Sequence, residues 1–268
     1  MKDKVVVITG GSSGIGKALA EVFGKNGSKI LITGRNQADL DLAVADLKRK
    51  GISIESFKGD VSIEADNKKM AAEALHLFGR IDVLINNAGI TMRALFHELD
   101  LSVVKKVMDI NFFGVLYATQ ACLPEITKNK GSIIGISSIA GFRGLPERTG
   151  YSASKFALNG FLEVLRTEML YKGVHVLTAA PGFTSSNIRK KALTKDGSAQ
   201  GESPRDEEKM MTAEECALHI YIATVKRKNF LILTAQGKAA VWINKLFPRL
   251  ADKLVYKTMA KEADSPLK

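Results

Sequence analysis

The feature that most constrains the fold is a glycine-rich turn near the N-terminus. A short run of apolar, mostly β-branched residues, Val5 to Ile8, leads into the sequence Thr9-Gly10-Gly11-Ser12-Ser13-Gly14-Ile15-Gly16. Apolar side chains then recur at helical spacing as far as Lys25. Glycines at such a junction let the chain turn sharply, let its backbone approach a pyrophosphate and let the helix pack closely on the strand. The turn therefore predicts a strand, a phosphate-binding loop and a helix whose N-terminus faces the phosphates.

The alternation of strand-like and helix-like segments continues along the chain. It predicts strands over 5–8, 29–33, 53–58, 81–85, 131–137, 174–179 and 230–233. It predicts helices over 15–25, 37–50, 63–78, 102–127, 151–170 and 214–226. Repeated strand–helix–strand crossovers build a parallel sheet that helices cover on both faces. We therefore predict a single α/β domain over residues 1–236, a Rossmann-type doubly wound parallel sheet of about seven strands with helices on both faces.

Composition and charge narrow the class of protein. The 268 residues suffice to bury a core without disulfides or metals, and no cluster of residues has the spacing of a metal site. Cys122 and Cys216 form no C-x-x-C motif, so we expect free thiols in a reducing compartment. The first apolar run is too short for a signal peptide or a membrane span, which favours a cytoplasmic protein. The net charge of +11 is spread along most of the chain, which favours a solvated surface and no nucleic-acid partner.

The residues after the second predicted strand indicate which nucleotide binds. An enzyme that uses NAD usually has an acidic residue there, which holds the 2′-hydroxyl of the ribose. This chain has Thr33-Gly34-Arg35-Asn36, so no carboxylate follows the strand and a guanidinium is available to pair with a 2′-phosphate. We therefore predict NADP(H) as the cofactor. The alternative is that Arg35 is a solvent-facing side chain.

A tyrosine and a lysine four residues apart form a second informative pattern. Tyr151 and Lys155 would lie on one face of the predicted helix. A phenol with its ordinary pKa of about 10 is a poor acid or base near neutrality, and a nearby cation lowers that pKa. Ser138 lies at the end of the fifth predicted strand, where a parallel sheet places its binding crevice. The three side chains predict an acid–base site in which Ser138 holds a substrate oxygen against the Tyr151 hydroxyl.

In this combination the chain resembles the short-chain dehydrogenase/reductase superfamily, in its core-length branch. The resemblance covers about residues 4 to 235. It rests on T-G-x-x-x-G-x-G at Thr9 to Gly16, N-N-A-G at Asn86 to Gly89, Asn111, Ser138 and Y-x-x-x-K at Tyr151 to Lys155. It implies an NADP(H)-dependent oxidoreductase, a ketone reductase in one direction, which transfers hydride between nicotinamide and a carbonyl compound or secondary alcohol. The alternative is a non-catalytic NADP-binding sensor or scaffold, which would lack one of these catalytic residues.

The resemblance also implies the role of each catalytic residue. Tyr151 is the acid/base, Ser138 stabilises the alkoxide, Lys155 tunes Tyr151 and holds the nicotinamide ribose, and Asn111 positions a water. The resemblance further implies a homodimer or homotetramer.

The predicted cofactor contacts lie after the first, second, third, fourth and sixth strands and on the catalytic helix. They are Gly10, Ser12, Ser13, Gly14, Ile15, Gly16, Arg35, Asn36, Asp60, Val61, Asn87, Ala88, Gly89, Tyr151, Lys155, Pro181, Gly182 and Thr184. By resemblance, Asp60 accepts from the adenine amino group and Val61 lies beside the ring. The family often has threonine where this chain has Ser186, so either Thr184 or Ser186 contacts the nicotinamide carboxamide.

Apolar residues dominate the predicted substrate side. The substrate contacts that we predict are Ser138, Phe142, Leu145 and Phe183, which favour a lipophilic carbonyl substrate. The alternative is that Arg93, Arg143 or Arg148 binds a carboxylate or phosphate. The polar, glycine-containing stretch at about 184–212 is predicted to be a mobile loop over the site.

A basic amphipathic extension follows the last predicted strand, over 237–268. Apolar residues such as Trp242, Leu246, Phe247 and Leu254 recur near helical spacing, with a break at Pro248. The alternatives for such a segment are that it contacts a membrane peripherally, that it covers the pocket, or that it packs on its own domain or on a partner subunit. We favour the last. Together with residues 192–198, the extension resembles the membrane-associated lipid, retinoid and steroid reductases of the superfamily, the member-seven dehydrogenase/reductase group.

Overall fold

The computed structural model describes residues 1–267 and contains a seven-stranded sheet in which all paired strands are parallel. The strands are β1 (Val5–Thr9), β2 (Lys29–Gly34), β3 (Ile54–Lys58), β4 (Val83–Asn86), β5 (Ser132–Ile136), β6 (His175–Ala180) and β7 (Phe230–Ile232). Their order across the sheet is β3-β2-β1-β4-β5-β6-β7. The predicted single-domain, doubly wound parallel sheet is confirmed.

Helices cover both faces of the sheet. They are α1 (Gly14–Lys25), α2 (Gln37–Arg49), α3 (Glu64–Phe78), α4 (Leu101–Met108), α5 (Gly114–Lys128), α6 (Thr149–Glu168), α7 (Ala213–Val225), α8 (Ala235–Leu246) and α9 (Pro248–Met259). In β1, Val6 and Ile8 belong to the core beneath α1, α2 and α7, whereas Val7 belongs to the core beneath α3, α5 and α6. Because alternate side chains of one strand enter opposite cores, an unbroken apolar run was the correct signal for a strand buried on both faces.

Local side-chain chemistry sets several helix ends. Thr212 and Glu215 form a reciprocal capping box at the start of α7. Gly79 ends α3 with φ of 74°, a left-handed conformation that glycine adopts without steric cost.

The strand order creates a crevice at one edge of the sheet. The chain leaves β1 towards β2 on one side, and later returns to place β4 on the other side of β1. Ligands of open parallel sheets bind at the carboxyl ends of the strands beside such a reversal. The glycine loop after β1 and the N-N-A-G segment after β4 both lie there.

The segment predicted as one helix over 102–127 differs from the prediction in its middle. A π-helical turn, Asp109–Phe113, separates α4 from α5. Apolar spacing does not reveal a π-turn, because one inserted residue leaves the apolar face on each side nearly intact.

Both cysteines are buried free thiols, as predicted. Cys122 lies in α5 and Cys216 in α7, and burial raises the pKa of each thiol to about 12. Thiols that stay protonated are poor nucleophiles, so the two cysteines act as core residues.

The C-terminal extension forms a pair of helices, α8 and α9. The break expected at Pro248 is present, and this proline occupies the first turn of α9. Trp242, Leu246 and Phe247 are each about 60% exposed, at 61%, 60% and 61%. Within the described residues, no helix has the length and apolar character needed to cross a membrane.

Candidate active site

The glycine loop between β1 and α1 is shaped by close backbone contacts. Gly10 and Gly14 have φ of 66° and 52°, in the left-handed region that favours glycine. A Cβ atom on Gly16 would lie 2.2 Å from the carbonyl oxygen of Gly10. The first turn of α1 contains no acidic residue, and the Ser13 side chain makes no capping hydrogen bond. The helix N-terminus is therefore suited to an anionic ligand.

Thr9 and Asn87 join the glycine loop to the segment after β4. Thr9 Oγ1 accepts hydrogen bonds from the backbone N–H groups of Asn87 and Ala88, both at 3.1 Å. Asn87 Nδ2 donates to the carbonyl oxygens of Thr9 and Gly10, at 3.0 and 2.9 Å. Asn87, Ala88 and Gly89 line the same cavity as the glycine loop. The positioning role of the Thr9 hydroxyl was missed, because sequence alone gives it no partner.

Arg35, Asp60 and Val61 lie at the nucleotide end of this cavity. The Arg35 side chain is 60% exposed, and its guanidinium lies 3.8 Å from Asp60 Oδ2. Asp60 Oδ1 accepts from the N–H and the hydroxyl of Ser62, at 2.9 and 2.7 Å. Asp60 therefore has a fixed orientation, and Arg35 keeps most of its donors available.

Asn36 and Asp39 bring the start of α2 into the same end of the cavity. Asn36 Oδ1 accepts from the N–H groups of Ala38 and Asp39, at 3.0 and 3.4 Å, so this side chain caps α2. Asp39, in the first turn of the helix, also lines the cavity. This carboxylate was not among the predicted cofactor contacts, because the sequence signal for the nucleotide lies only in the residues that directly follow β2.

The structure brings Ser138, Tyr151 and Lys155 together at the carboxyl end of β5. Ser138 and Tyr151 line the same cavity, and the Ser138 hydroxyl acts to lower the pKa of the Tyr151 phenol. Ser138 Oγ also accepts from the N–H of Ala140 at 3.2 Å, which fixes its position. Lys155 Nζ lies 5.7 Å from the centroid of the Tyr151 ring and donates to the carbonyl oxygen of Ile136 at 2.8 Å.

Burial dominates the ionisation of this pair. It lowers the pKa of the Lys155 ammonium to about 8. It raises the pKa of the Tyr151 phenol, and this effect exceeds the opposing effects of the Ser138 hydroxyl and the Arg189 charge. The net shift of the Tyr151 pKa is therefore upward, although the prediction considered only the lowering effect of a nearby cation. Desolvation disfavours the charged form of both side chains. Near neutral pH the crevice therefore contains a neutral Tyr151 phenol and a Lys155 amine with a pKa of about 8.

Asn111 lies in the π-turn and is fully buried. Its Oδ1 accepts from the N–H of Ile90 at 2.8 Å, and its Nδ2 donates to Ile90 O at 2.9 Å and Ser154 Oγ at 3.0 Å. An added Cβ on Gly89 would lie 3.2 Å from Asn111 Oδ1 and 3.7 Å from Lys155 Nζ. Asn111 therefore fixes the segment after β4 against α6, and its part in holding a water stays a prediction.

The segment after β6 closes the other side of the crevice. Pro181, Gly182, Thr184 and Ser186 all line the cavity. Thr184 is 5% exposed and its hydroxyl donates to Gly182 O at 3.4 Å. The Ser186 side chain lies 3.6 Å from the position of a Cβ on Gly14, so it faces the glycine loop. Both hydroxyls reach the cavity, and the choice between them stays open.

The cavity itself has a volume of about 810 Å³, within the range of ligand pockets. Leu145 and Phe183 line it together with Ser138, as predicted for the substrate side. Phe142 is not among the described residues that line it, and its carbonyl oxygen accepts from Asn244 Nδ2 of α8 at 3.0 Å. The prediction of Phe142 as a substrate contact is therefore unsupported, because this turn faces the extension.

The C-terminal extension forms one wall of the cavity, which is one of the alternatives that its sequence left open. Its apolar lining residues are Ala239, Ala240 and Ile243 from α8, and Ala251, Leu254, Val255 and Met259 from α9. The amphipathic spacing of the tail was the available signal, but spacing does not say which surface the apolar face covers.

The arginines near the substrate end are paired. Arg93 bonds to Glu147 at 2.7 Å, and Arg148 bonds to Glu262 at 2.7 Å. Arg143 lies outside the described cavity lining, where it pairs with Asp252 at 2.6 Å.

The glycine loop, the N-N-A-G segment and the Ser–Tyr–Lys cluster share one crevice. Known proteins of one family match the chain that carries this arrangement. The model of the short chain dehydrogenase family matches residues 4–197. The chain belongs to this family. As a short-chain dehydrogenase/reductase, it is an oxidoreductase that binds a nicotinamide cofactor and acts on a small molecule.

Relatives of the chain span almost its whole length. Dehydrogenase/reductase SDR family member 7B of Rattus norvegicus is 36% identical over 275 residues, which cover 99% of this chain and 84% of the relative. The SDR family protein 7-like dehydrogenase/reductase of Dictyostelium discoideum is 32% identical, with coverage of 96% and 82%. These names agree with the resemblance to the member-seven group.

A solved structure shares the fold. It is the crystal structure of a short-chain dehydrogenase/reductase from Burkholderia phymatum in complex with NAD. The TM-score is 0.84 at 23% identity, with 93% of this chain and 95% of that chain covered.

Proposed function

We propose that this protein is an NADP(H)-dependent reductase of lipophilic carbonyl compounds, with Tyr151 as its acid/base, and that it also oxidises the corresponding secondary alcohols. The observation that carries the proposal is the placement of Ser138, Tyr151 and Lys155 in one crevice with the glycine loop. A non-catalytic sensor or scaffold would lack part of this set, and Asn111, Ser138, Tyr151 and Lys155 are all present.

The chain's own residues account for the proton transfer in the reaction. A reduced nicotinamide bound in the crevice would supply the hydride for the carbonyl carbon. Ser138 donates a hydrogen bond to the carbonyl oxygen and holds it beside the Tyr151 hydroxyl. Tyr151 gives its proton to the oxygen as negative charge develops there. Lys155, with its pKa lowered to about 8, is charged for much of the neutral range and stabilises the resulting phenolate.

The preference for NADP(H) rests on the nucleotide end of the cavity. Arg35 follows β2, is 60% exposed and keeps donors available for a 2′-phosphate. Asp39 is the opposing feature, because its carboxylate would disfavour a phosphate placed directly beside it. We favour NADP(H) because Arg35, and not Asp39, occupies the position directly after the strand where NAD enzymes carry their acid.

The lipophilic substrate class is supported by the walls of the cavity. Leu145, Phe183, Ile243, Leu254 and Val255 line its substrate side. Arg93, Arg148 and Arg205 are paired there with carboxylates. An apolar substrate would therefore not bind beside an unpaired charge.

We place the protein in the cytoplasm as a homodimer or homotetramer, with peripheral membrane contact through the extension. Exposed Phe113, Phe156 and Val164, on the π-turn and α6, support contact with a second copy. Light scattering that gave a monomeric mass would contradict the oligomer.

The test of the activity compares Tyr151→Phe with wild type on a panel of carbonyl compounds, followed by the absorbance of NADPH. Removing one hydroxyl deletes the proton donor, and we expect turnover to fall by at least about a hundredfold. NADPH binding, measured by fluorescence titration, should change little. Tyr171→Phe is the control, because Tyr171 is 96% exposed. Retained turnover in Tyr151→Phe would show that another group supplies the proton.

A further inference from the structure

Glu262 is buried at the edge of the cavity, although it follows an exposed helix. It is 4% exposed. Its Oε1 accepts from Arg205 Nε at 2.6 Å, and its Oε2 accepts from an Arg148 guanidinium nitrogen at 2.7 Å. Arg93 Nε lies 3.8 Å from the same carboxylate. One carboxylate near the C-terminus therefore faces three guanidinium groups.

These arginines come from three separate parts of the site. Arg93 lies after β4, on the segment that follows N-N-A-G. Arg148 directly precedes α6, the helix that carries Tyr151. Arg205 lies in the long segment between β6 and α7, and its guanidinium stacks 3.8 Å from the centroid of the Phe183 ring. The Glu262 carboxylate thus links the extension to the catalytic helix and to the segment 184–212, which we call the substrate loop.

Contacts around Glu262 tie down the residues that follow it. An Arg93 guanidinium nitrogen donates to Ala263 O at 2.7 Å. Ser265 Oγ donates to Glu147 Oε1 at 3.1 Å, and Glu147 Oε2 accepts from Arg93 Nε at 2.7 Å. Glu147 has φ of 63° and is 3% exposed. A left-handed glutamate is costly and persists only where its surroundings hold it firmly.

The remainder of the extension is held weakly by comparison. Within the described residues, α8 buries only Gly237, and α9 buries only Ala251 and Met259. At the other end of the helix pair, Arg143 pairs with Asp252, which is 64% exposed. Exposed pairs contribute little, whereas a buried carboxylate leaves uncompensated charges when it is removed.

We propose that Glu262 is a latch that fastens α8 and α9 over the substrate end of the cavity. By engaging Arg148 and Arg205 at once, it couples closure of this wall to the positions of the start of α6 and of the substrate loop. Glu262 is a positioning residue: it touches arginines that line the cavity, and it shapes the apolar pocket without taking part in proton transfer.

The direct test is hydrogen–deuterium exchange of the full-length protein. Glu262→Gln keeps the size of the side chain and removes its charge, so the extension should open more often. We expect exchange of amides in 248–263 and around Arg205 to become about tenfold faster, the effect of losing a charged hydrogen bond. Asp264→Asn removes the same charge from an exposed residue two positions away and should exchange as wild type does. Wild-type exchange in Glu262→Gln would overturn the latch.

A second variant keeps the test decisive if Glu262→Gln does not fold. Arg205→Gln removes the ion pair between Arg205 and Glu262 and leaves the pair between Arg148 and Glu262 in place. It should accelerate exchange in the same two segments, and unchanged exchange there would count against the proposal. Where both variants fold, the double variant should exchange more slowly than the product of the two single effects predicts, because the second change finds the contact already broken. Multiplicative effects would show that the two residues act independently.

A kinetic experiment, which rests on the proposed function, asks what the latch does for the pocket. With 2-nonanone and 2-butanone as probes, Glu262→Gln should raise the KM for the longer ketone about tenfold. It should leave the KM for the shorter ketone and the affinity for NADPH near wild type. Equal KM changes for both ketones would overturn the role in the pocket. If wild type reduces neither ketone, the proposed function fails, and hydrogen exchange still decides the latch.

Discussion

At the scale of single residues, the proposed preference for NADP(H) rests on Arg35. The strand end places it in the cavity, and its guanidinium lies 3.8 Å from Asp60, too far for a strong bond. Asp39, one turn further on, has the charge that would favour a free ribose hydroxyl. The two side chains act in opposite directions, so the preference depends on which of them is nearer the 2′-position.

Arg35→Asp should raise the KM for NADPH by about tenfold to a hundredfold, since a charge-assisted bond is lost and a repulsive charge is gained. The KM for NADH should fall or stay unchanged. Arg49→Asp makes the same charge change at the far end of α2, where Arg49 is 78% exposed, and should leave both values near wild type. Steady-state kinetics with both nucleotides measures this. An unchanged ratio of the two KM values would contradict the NADP(H) assignment.

Lys155 shows the limit of sequence reasoning about one residue. Spacing places Tyr151 and Lys155 on one helix face, and in the structure Lys155 Nζ lies 5.7 Å from the centroid of the Tyr151 ring. Burial could not be foreseen from spacing, and it is burial that lowers the pKa of Lys155 to about 8 and raises that of Tyr151. Ionisation depends on what surrounds a group on every side, and most of those neighbours are distant in sequence.

At the scale of elements, the glycine loop is the best-determined part of the site. Its sequence specifies a sharp turn and a close approach of the backbone. The structure shows how close that approach is, because a Cβ on Gly16 would lie 2.2 Å from Gly10 O and 2.5 Å from Asn87 Nδ2. The π-turn at Asp109–Phe113 is the opposite case. It places Asn111 against Ile90 and Ser154, and these partners lie far away along the chain.

Gly16→Ala should therefore weaken NADPH binding by at least about tenfold, because the loop must shift away from its phosphate-binding shape. The matched control is Gly160→Ala in α6. Gly160 is exposed, no atom lies within 4 Å of its added Cβ, and alanine should stabilise the helix by about 0.5–1 kcal/mol. Fluorescence titration with NADPH and thermal unfolding measure the two effects. Wild-type affinity in a folded Gly16→Ala protein would contradict the proposed role of the loop.

At the scale of the whole molecule, the extension presents two different faces. Ile243, Leu254 and Val255 reach the cavity, while Trp242, Phe247 and Leu250 are 61%, 61% and 48% exposed. Basic residues accompany the exposed side chains in the same two helices: Lys238, Lys245, Arg249, Lys253 and Lys257. Aromatic and aliphatic groups beside positive charge suit an anionic membrane surface, and the same helices would then join that surface to the pocket.

Full-length protein should float with vesicles that contain phosphatidylserine and less with neutral phosphatidylcholine vesicles. Replacing Trp242, Phe247 and Leu250 together by serine should lower flotation at least about tenfold, because the inserted apolar area is lost. Serine at Leu170 and Tyr171, which are 62% and 96% exposed elsewhere on the surface, is the control. Equal flotation of both variants, or none of the wild type, would argue against the membrane contact.

The amino-acid sequence was enough to predict the succession of strands and helices along the chain, the doubly wound class, and the residues that meet at the carboxyl ends of β1, β4 and β5. It could do so because these signals are local: an apolar run, a glycine at a forced turn and a four-residue helical spacing each act within a few positions. The family motifs then gave the order of these signals a chemical meaning.

The three-dimensional fold was needed to establish which of the alternatives covers the crevice and how its groups ionise. It placed α8 and α9 over the substrate end, turned the Phe142 segment towards Asn244 and brought Glu262 to Arg148, 114 residues away. Burial and charge pairing are properties of the assembled interior, where desolvation and Coulomb terms depend on all neighbours at once. No periodicity along the chain carries that information, so the pocket and its latch became visible only in the fold.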